Sequence, residues 1–362
     1  MLKRVEAAGR IALTKHVLVR FQPDRVLERI PVNVKLKRIL LMRWDAIGDM
    51  MVCLPFFRKV RELFPEAETG IVVSRRNLPL LKHEKGFHTI LYDSEPITYI
   101  RSLALARRFN PDVIVDTRMH YDSTTSFIYG LVSGAAWRLS ASNRDNKLPF
   151  SVRVPIPEGR HYIAKLMSIL LEGLGKKIDD SELEREPVLS VEETEFVCAF
   201  WRETGLRFRG NCVGINISAR DSRHRWTDEK TAALCGSLIS RGKTPLLMSI
   251  PPERRRALAI AESRSGTLVA PECPTILHAA ALIRDLALFV TPDTGLVHIA
   301  ASFGIPVVGM YCPNESHLPL WYPWRVENEV LMDPEKVENI TVKDVEKAVE
   351  RLVRRTAAID VI

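Results

Sequence analysis

Two short turns carry the residue types that could perform group-transfer chemistry. In RWDAIGDMMV, an apolar run that predicts a strand over Ile39–Arg43 leads into Gly48 and Asp49 at the start of an amphipathic helix. Glycine permits a sharp turn there. A carboxylate at the start of a helix can cap its free N–H groups or act as a general base. On this turn alone, both roles of Asp49 remain open.

The second turn lies in LFVTPDTGLVHIAASFG, after a predicted strand over Leu286–Thr291. Asp293, Thr294 and Gly295 precede a small, apolar helix, whose free N–H groups and positive dipole end suit a phosphate. His298 follows Thr294 by four residues and therefore shares its helix face. The alternative interpretation is a capping pair followed by a core histidine.

A third segment, INISARDSRHRWTDE, is a predicted strand that runs into a cation-rich loop. Arg220, Arg223, His224 and Arg225 fall within six positions. Together they could neutralise a diphosphate. An exposed basic loop without a ligand is the alternative.

The elements that must position these turns alternate along the chain. From Lys37 onward, short apolar runs alternate with amphipathic stretches of helical length, which predicts βαβ units on parallel sheets and an α/β fold. A helix is predicted over Val342–Arg355. Besides the two strands above, we predict strands over Gly70–Val73, Val113–Asp116, Val213–Ile217, Pro245–Ser249 and Val307–Tyr311.

The length of the chain, 362 residues, is about twice that of one domain. A charged stretch at residues 183–210, which contains one proline and two glycines, marks the predicted boundary. Two doubly wound domains place their strand ends at clefts, so we expect the ligands between the domains. The predicted parts are a basic extension at 1–36, a Rossmann-like acceptor domain at 37–190, a Rossmann-like donor domain at 205–340 and a C-terminal helix at 341–362.

The net charge is +8, and most of the excess lies near the N-terminus. Residues 1–38 contain ten Lys or Arg against three acidic residues, with apolar residues between them. Such a segment could contact anionic lipid or could be a solvated extension, and both remain open. Nucleic acid is not expected as a partner, because no recognition motif is present. We expect a cytoplasmic protein, since no apolar run approaches roughly 18 residues and no secretory signal precedes the first domain.

Two longer stretches resemble the lipopolysaccharide heptosyltransferases of glycosyltransferase family 9. They are ILLMRWDAIGDMMVCLPFFRKVRELFP and FVTPDTGLVHIAASFGIPVVGMYCP, and the resemblance runs from about Lys37 to Pro313. It implies the GT-B architecture, with two Rossmann-like doubly wound domains that face an interdomain cleft. It also implies transfer of heptose from ADP-heptose to the lipopolysaccharide inner core. The resemblance further implies a protein that could bind peripherally to the inner face of the inner membrane. We expect no cofactor and no metal, because arginines and a helix end can stabilise the leaving diphosphate.

The resemblance also implies particular site residues. Asp49 matches the carboxylate regarded as the general base of the family. Where the family commonly has a lysine two residues before a tryptophan, this chain has His224, so Arg223 or Arg225 are alternative phosphate ligands and activity should depend on pH near neutrality. The expected donor-binding residues are Ser218, Arg220, His224, Arg225, Glu253, Asp293, Thr294, Gly295 and His298.

Contacts to the acceptor are expected from the first domain. Arg75, Arg76, Arg118 and His120 follow predicted strands and could bind phosphates of a lipopolysaccharide core, although exposed solubilising charges are the alternative. Two further functions remain open for the whole chain. One is a GT-B glycosyltransferase with a protein or another glycan as acceptor, and the other is a catalytically silent protein that binds nucleotide sugar or a membrane surface.

Overall fold

The computed structural model of the chain divides into two compact units, which meet in sequence between Glu184 and Arg185. Each unit contains one six-stranded sheet in which every neighbouring pair of strands is parallel. No helix among the described residues is long and apolar enough to cross a bilayer. The structure describes residues 18–21, 23, 25–118, 123–141, 150–157, 163–206, 209–312 and 321–359.

The sheet of the first unit has the strand order of a doubly wound fold. Its strands are β1 (Arg38–Met42), β2 (Glu68–Ser74), β3 (Phe87–Tyr92), β4 (Val113–Asp116), β5 (Trp137–Ala141) and β6 (Val152–Val154). Its helices are α1 (Ile47–Leu63), α2 (Pro96–Phe109), α3 (Thr124–Val132) and α4 (Ile163–Gly173). The order is β3-β2-β1-β4-β5-β6, so the direction of winding reverses between β1 and β4. Ligands of such sheets bind outside the carboxyl ends of the strands at this reversal.

The second unit repeats this arrangement. Its strands are β7 (Cys212–Asn216), β8 (Thr244–Met248), β9 (Leu268–Val269), β10 (Leu288–Pro292), β11 (Val307–Tyr311) and β12 (Asn328–Met332). Its helices are α5 (Val191–Thr204), α6 (Asp228–Ser240), α7 (Arg254–Glu262), α8 (Ile276–Arg284), α9 (Gly295–Ser302) and α10 (Val342–Ile359). The order is β12-β11-β10-β7-β8-β9, so the reversal lies between β7 and β10. Single turns of 3-10 helix lie at Leu18–Phe21, Leu78–Leu81, Asp180–Glu182, Arg209–Asn211, Ser222–His224, Pro251–Glu253 and Val337–Asn339.

The predicted α/β class with doubly wound sheets is confirmed. All seven strands predicted from apolar runs are present, with ends within two residues of the expected ones. These strands are apolar without alternation because helices cover both faces of a parallel sheet. The strands that the sequence analysis missed are β3, β5, β6, β9 and β12, which include both edge strands of each sheet.

Three segments that the sequence analysis set apart pack within the two units. Residues 191–204, left between the predicted domains, form α5, whose Trp201 Nε1 donates a hydrogen bond to Asp285 at 3.0 Å. Helix α10 buries one face in the core of the second unit. Near the N-terminus, Leu27 pairs with Val152 of β6, and Leu36 is buried.

Candidate active site

Asp49 is the third residue of α1, at the carboxyl end of β1. Its Oδ1 accepts a hydrogen bond from Nη2 of Arg43, a side chain that is only 3% exposed. Its Oδ2 accepts one from the backbone N–H of Ala46 at 3.2 Å. The carboxylate therefore completes the helix N-terminus, where negative charge is favourable. Because its side chain is still 22% exposed, it also faces solvent, so the capping role and a catalytic role are compatible.

Arg43 joins the turn after β1 to the end of β4. Its Nη1 donates to the carbonyl of Thr117 at 2.9 Å, and its Nε lies 3.9 Å from Oδ2 of Asp45. Together with its bond to Asp49, these contacts span the reversal in strand order. The sequence analysis did not select Arg43. Its signal was a charged residue at the end of an otherwise apolar run.

Of the predicted acceptor residues, Arg118 belongs to the same network. Its Nε lies 3.2 Å from Oδ2 of Asp45, and its guanidinium lies over the ring of Trp44 at 5.4 Å from the centroid. Arg75 and Arg76 are exposed after β2, where Arg75 pairs with Asp93 at 3.5 Å. The structure thus connects Arg118 to the Asp49 turn and directs Arg75 elsewhere. The fourth candidate, His120, lies outside the described residues.

Asp116, the last residue of β4, is a buried carboxyl beneath this network. Burial raises its pKa to about 6, and the charge of Arg118 opposes the rise. The backbone N–H of Arg118 donates to its Oδ1 at 3.0 Å. The protonation of Asp116 is therefore coupled to Arg118, through its charge and through its backbone N–H.

This raised pKa predicts a pH dependence of stability. The folded state holds the proton of Asp116 up to about pH 6, whereas an ordinary aspartate loses it near 3.8. The extra stability is therefore fully present below the ordinary pKa and is lost as the pH rises through the folded one. The shift corresponds to about 3 kcal/mol. We expect the unfolding free energy of wild type, minus that of Asp116→Asn, to fall by about this amount across the interval. Chemical denaturation of both proteins at several pH values measures this difference in unfolding free energy. A difference that stays constant with pH would contradict the prediction.

In the second unit, Asn216 at the end of β7 holds the predicted donor turn. Its Nδ2 donates to Thr291 Oγ1 at 3.0 Å and to Thr294 Oγ1 at 3.3 Å. Its Oδ1 accepts from the backbone N–H of Ser218 at 3.0 Å. Thr294 is the N-cap of α9, so Gly295 begins the helix, and the N–H groups of the first helical turn lie beside the reversal between β7 and β10. Asp293 precedes this cap, at the end of β10.

His298 lies inside α9 and is buried. Its ring makes an edge contact with Trp321, with centroids 5.7 Å apart. This environment fits the core-histidine alternative of the sequence analysis.

The ends of β7 and β8 are also joined. Ser218 Oγ accepts from the backbone N–H of Ile250 at 2.9 Å, and Arg225 Nη2 donates to Glu253 Oε1 at 2.5 Å. Arg256 approaches the same oxygen at 3.3 Å. The other oxygen of Glu253, Oε2, is buried without a hydrogen-bond partner among the described residues.

His224 does not present its ring to solvent. Its Nδ1 lies 2.6 Å from Asp221 Oδ1, and its Nε2 lies 3.2 Å from Arg220 Nη2. Because a guanidinium can only donate, Nε2 accepts and Nδ1 carries the hydrogen to Asp221. This hydrogen bond is the main reason that the pKa of Asp221 is lowered. His224 therefore orients Arg220, whose guanidinium is largely exposed.

The guanidinium of Arg223 is engaged by backbone. Its Nε donates to the carbonyl of Glu335 at 2.7 Å, and its Nη2 donates to that of Pro334 at 2.8 Å. Of the other loop arginines, the side chain of Arg220 is 71% exposed, whereas that of Arg225 is 40% exposed and pairs with Glu253.

Comparison with known proteins shows the family of this chain. A family model described as glycosyltransferase family 9 (heptosyltransferase) matches residues 130–349, which include the donor turn but not Asp49. Lipopolysaccharide heptosyltransferase 1 of Escherichia coli K12 is 21% identical over 300 residues, which cover 78% of this chain and 89% of that protein.

Solved structures agree in fold. The glycosyl transferase family 9 structure from Veillonella parvula has a TM-score of 0.73 at 20% identity and covers 88% of this chain and 97% of its own. E. coli heptosyltransferase WaaC with ADP has a TM-score of 0.68 at 15% identity, with 89% and 99% covered. The fold is therefore GT-B, with two Rossmann-like domains. Since the family model matches more than half of the chain, the protein belongs to glycosyltransferase family 9, the heptosyltransferases.

Proposed function

We propose that this glycosyltransferase moves heptose from ADP-heptose to the core of lipopolysaccharide, with inversion at the anomeric carbon and with Asp49 as general base. The observation that carries the proposal is the partly exposed Asp49 carboxylate, which the buried Arg43 fixes at a strand reversal. The names of related proteins support the substrates, because one relative is a lipopolysaccharide heptosyltransferase and one structural neighbour contains ADP.

In the proposed reaction, Asp49 takes the proton of an acceptor hydroxyl as its oxygen attacks the anomeric carbon. The bond between this carbon and the diphosphate oxygen breaks in the same step, and its electron pair leaves with ADP. A single displacement from the opposite face inverts the configuration. Arg43 and the N–H of Ala46 keep the carboxylate oriented, which a general base requires.

The second unit supplies groups that suit the departing diphosphate. Arg220 offers an exposed guanidinium that His224 orients, and the first N–H groups of α9, from Gly295 onward, point out of the helix end. Both favour negative charge as it develops. We propose that no metal is needed.

Two loop arginines should therefore respond differently to substitution. Arg220→Gln should raise the Kd of ADP about tenfold, because a charge-assisted hydrogen bond is lost. Arg223→Gln should leave this Kd unchanged but lower the melting temperature, because it removes donors to the carbonyls of Pro334 and Glu335. Isothermal titration calorimetry and thermal melting separate the two effects. Equal loss of ADP affinity in both variants would contradict this assignment.

The proposed function is tested by ADP release from ADP-heptose, with and without a heptose-deficient lipopolysaccharide core. We expect release that depends on the core, persists in EDTA and adds the mass of one heptose to the acceptor. Nuclear magnetic resonance of the product should show the inverted anomer. Release with a protein or another glycan as acceptor, and none with the core, would reject the acceptor. No release from any donor would favour the silent binding protein.

A further inference from the structure

The outward face of α2 carries a stripe of exposed residues. We call this surface the α2 stripe. The helical spacing i, i+3, i+4, i+7, i+8, i+11 places its residues on one side of the helix, while Ser102 and Ala106 on the other side are buried. The large apolar members are 59%, 65% and 47% exposed in chain order. The stripe consists of Ile97, Ile100, Arg101, Ala104, Leu105 and Arg108, all of them exposed.

The charge of this helix has one sign. Between Pro96 and Phe109, α2 contains three arginines and no acidic residue. The nearest acid, Glu95, caps the helix by accepting from the N–H groups of Ile97 and Thr98. A face that combines exposed aliphatic side chains with arginines only is complementary to a surface that is both apolar and anionic.

We propose that the α2 stripe docks on a bilayer that contains anionic phospholipid. Ile97, Ile100 and Leu105 enter the boundary between headgroups and acyl chains, while Arg101 and Arg108 pair with lipid phosphates. A second copy of the chain fits this surface less well. Two stripes packed face to face would bring Arg101 and Arg108 of both copies together, and the stripe itself contains no acidic residue to compensate their charges.

The α2 stripe begins at the same edge of the sheet as Asp49. Helix α2 begins four residues after β3 ends, so Ile97 and Ile100 lie near the carboxyl edge of the sheet. Asp49 lies at the same edge, because parallel strands end together. Docking would therefore hold this edge near the lipid–water boundary, where a lipid-linked acceptor is presented. Only this step rests on the proposed function, and docking itself does not.

The test is flotation of the full-length protein with vesicles of phosphatidylcholine, with and without phosphatidylglycerol. We expect Ile100→Gln/Leu105→Gln to lower partitioning into anionic vesicles about tenfold or more, because two large apolar side chains no longer enter the lipid. Arg101→Gln/Arg108→Gln should lower it about fivefold per arginine and reduce its salt sensitivity. The matched control Arg255→Gln/Leu258→Gln, on an exposed face of α7, should partition like wild type.

Glutamine is a good helix former, so the variants should melt like wild type. Equal flotation of wild type and both stripe variants would overturn the proposal, and binding would then be sought in the basic N-terminal extension. A dimer, measured by light scattering, that Ile100→Gln/Leu105→Gln dissociates would also overturn it. The vesicles contain neither donor nor acceptor, so failure of the proposed glycosyl transfer cannot imitate either result.

Discussion

Asp49→Asn is expected to slow heptosyl transfer about 10²- to 10⁴-fold, since a positioned general base contributes about this much. Asparagine has nearly the same shape and can still accept the N–H of Ala46, but its amide cannot take the proton of the acceptor. The loss should therefore appear in kcat, while the Kd of ADP measured by calorimetry stays near the wild-type value.

Asp45→Asn is the matched control for this prediction. Asp45 is in the same turn and also pairs with Arg43 and Arg118. Burial raises its pKa, and the two arginines oppose the rise. A carboxylate with a raised pKa is itself a candidate base. We expect Asp45→Asn to retain most of kcat. If it loses activity and Asp49→Asn does not, the base is Asp45.

Arg43→Met is expected to lower the free energy of unfolding by about 2 kcal/mol, because it removes a buried guanidinium that satisfies two partly exposed carboxylates and one buried carbonyl. In this variant, the carboxylates of Asp45 and Asp49 lose their shared cation and the carbonyl of Thr117 loses its donor. Urea denaturation near neutral pH measures the change.

Two further substitutions serve as controls for Arg43→Met. Arg43→Lys keeps the charge but offers a single ammonium in place of a planar fork, so its stability should fall between wild type and Arg43→Met. Arg75→Met removes an exposed pair with Asp93 and should cost about 0.5 kcal/mol at most. Wild-type stability in Arg43→Met would show that the buried network contributes nothing to folding.

The central strands could be predicted from the sequence because nearly every residue in them is buried and therefore apolar. Leu40, Leu41 and Met42 are all fully buried, which gives the continuous apolar run of β1. The edge strands contain no such continuous apolar run. In β12, Asn328 and Glu329 are only partly buried, and β3 begins with exposed or half-buried residues, so neither strand has a continuous apolar pattern.

The site could be predicted only as far as its local turns. A Gly-Asp or Asp-Thr-Gly sequence after an apolar run is visible along the chain, which is why Asp49 and Thr294 were selected. Their supports, Arg43 with Thr117 and Asn216 with Thr291, depend on which strands become neighbours. Spacing also could not show that Asp221 and Arg220 engage both ring nitrogens of His224.

The wide sequence separation across each strand reversal has a consequence for synthesis of the chain. Arg43 and Thr117 are 74 residues apart, and Asn216 and Thr291 are 75 residues apart. Bringing such distant segments together costs conformational entropy before their contacts contribute, and parallel pairing of this kind is slow. A nascent chain on the ribosome therefore cannot form either of these two hydrogen bonds until most of the corresponding unit has emerged. A chain released before Thr291 would lack the hydrogen bonds of Asn216 to Thr291 and Thr294.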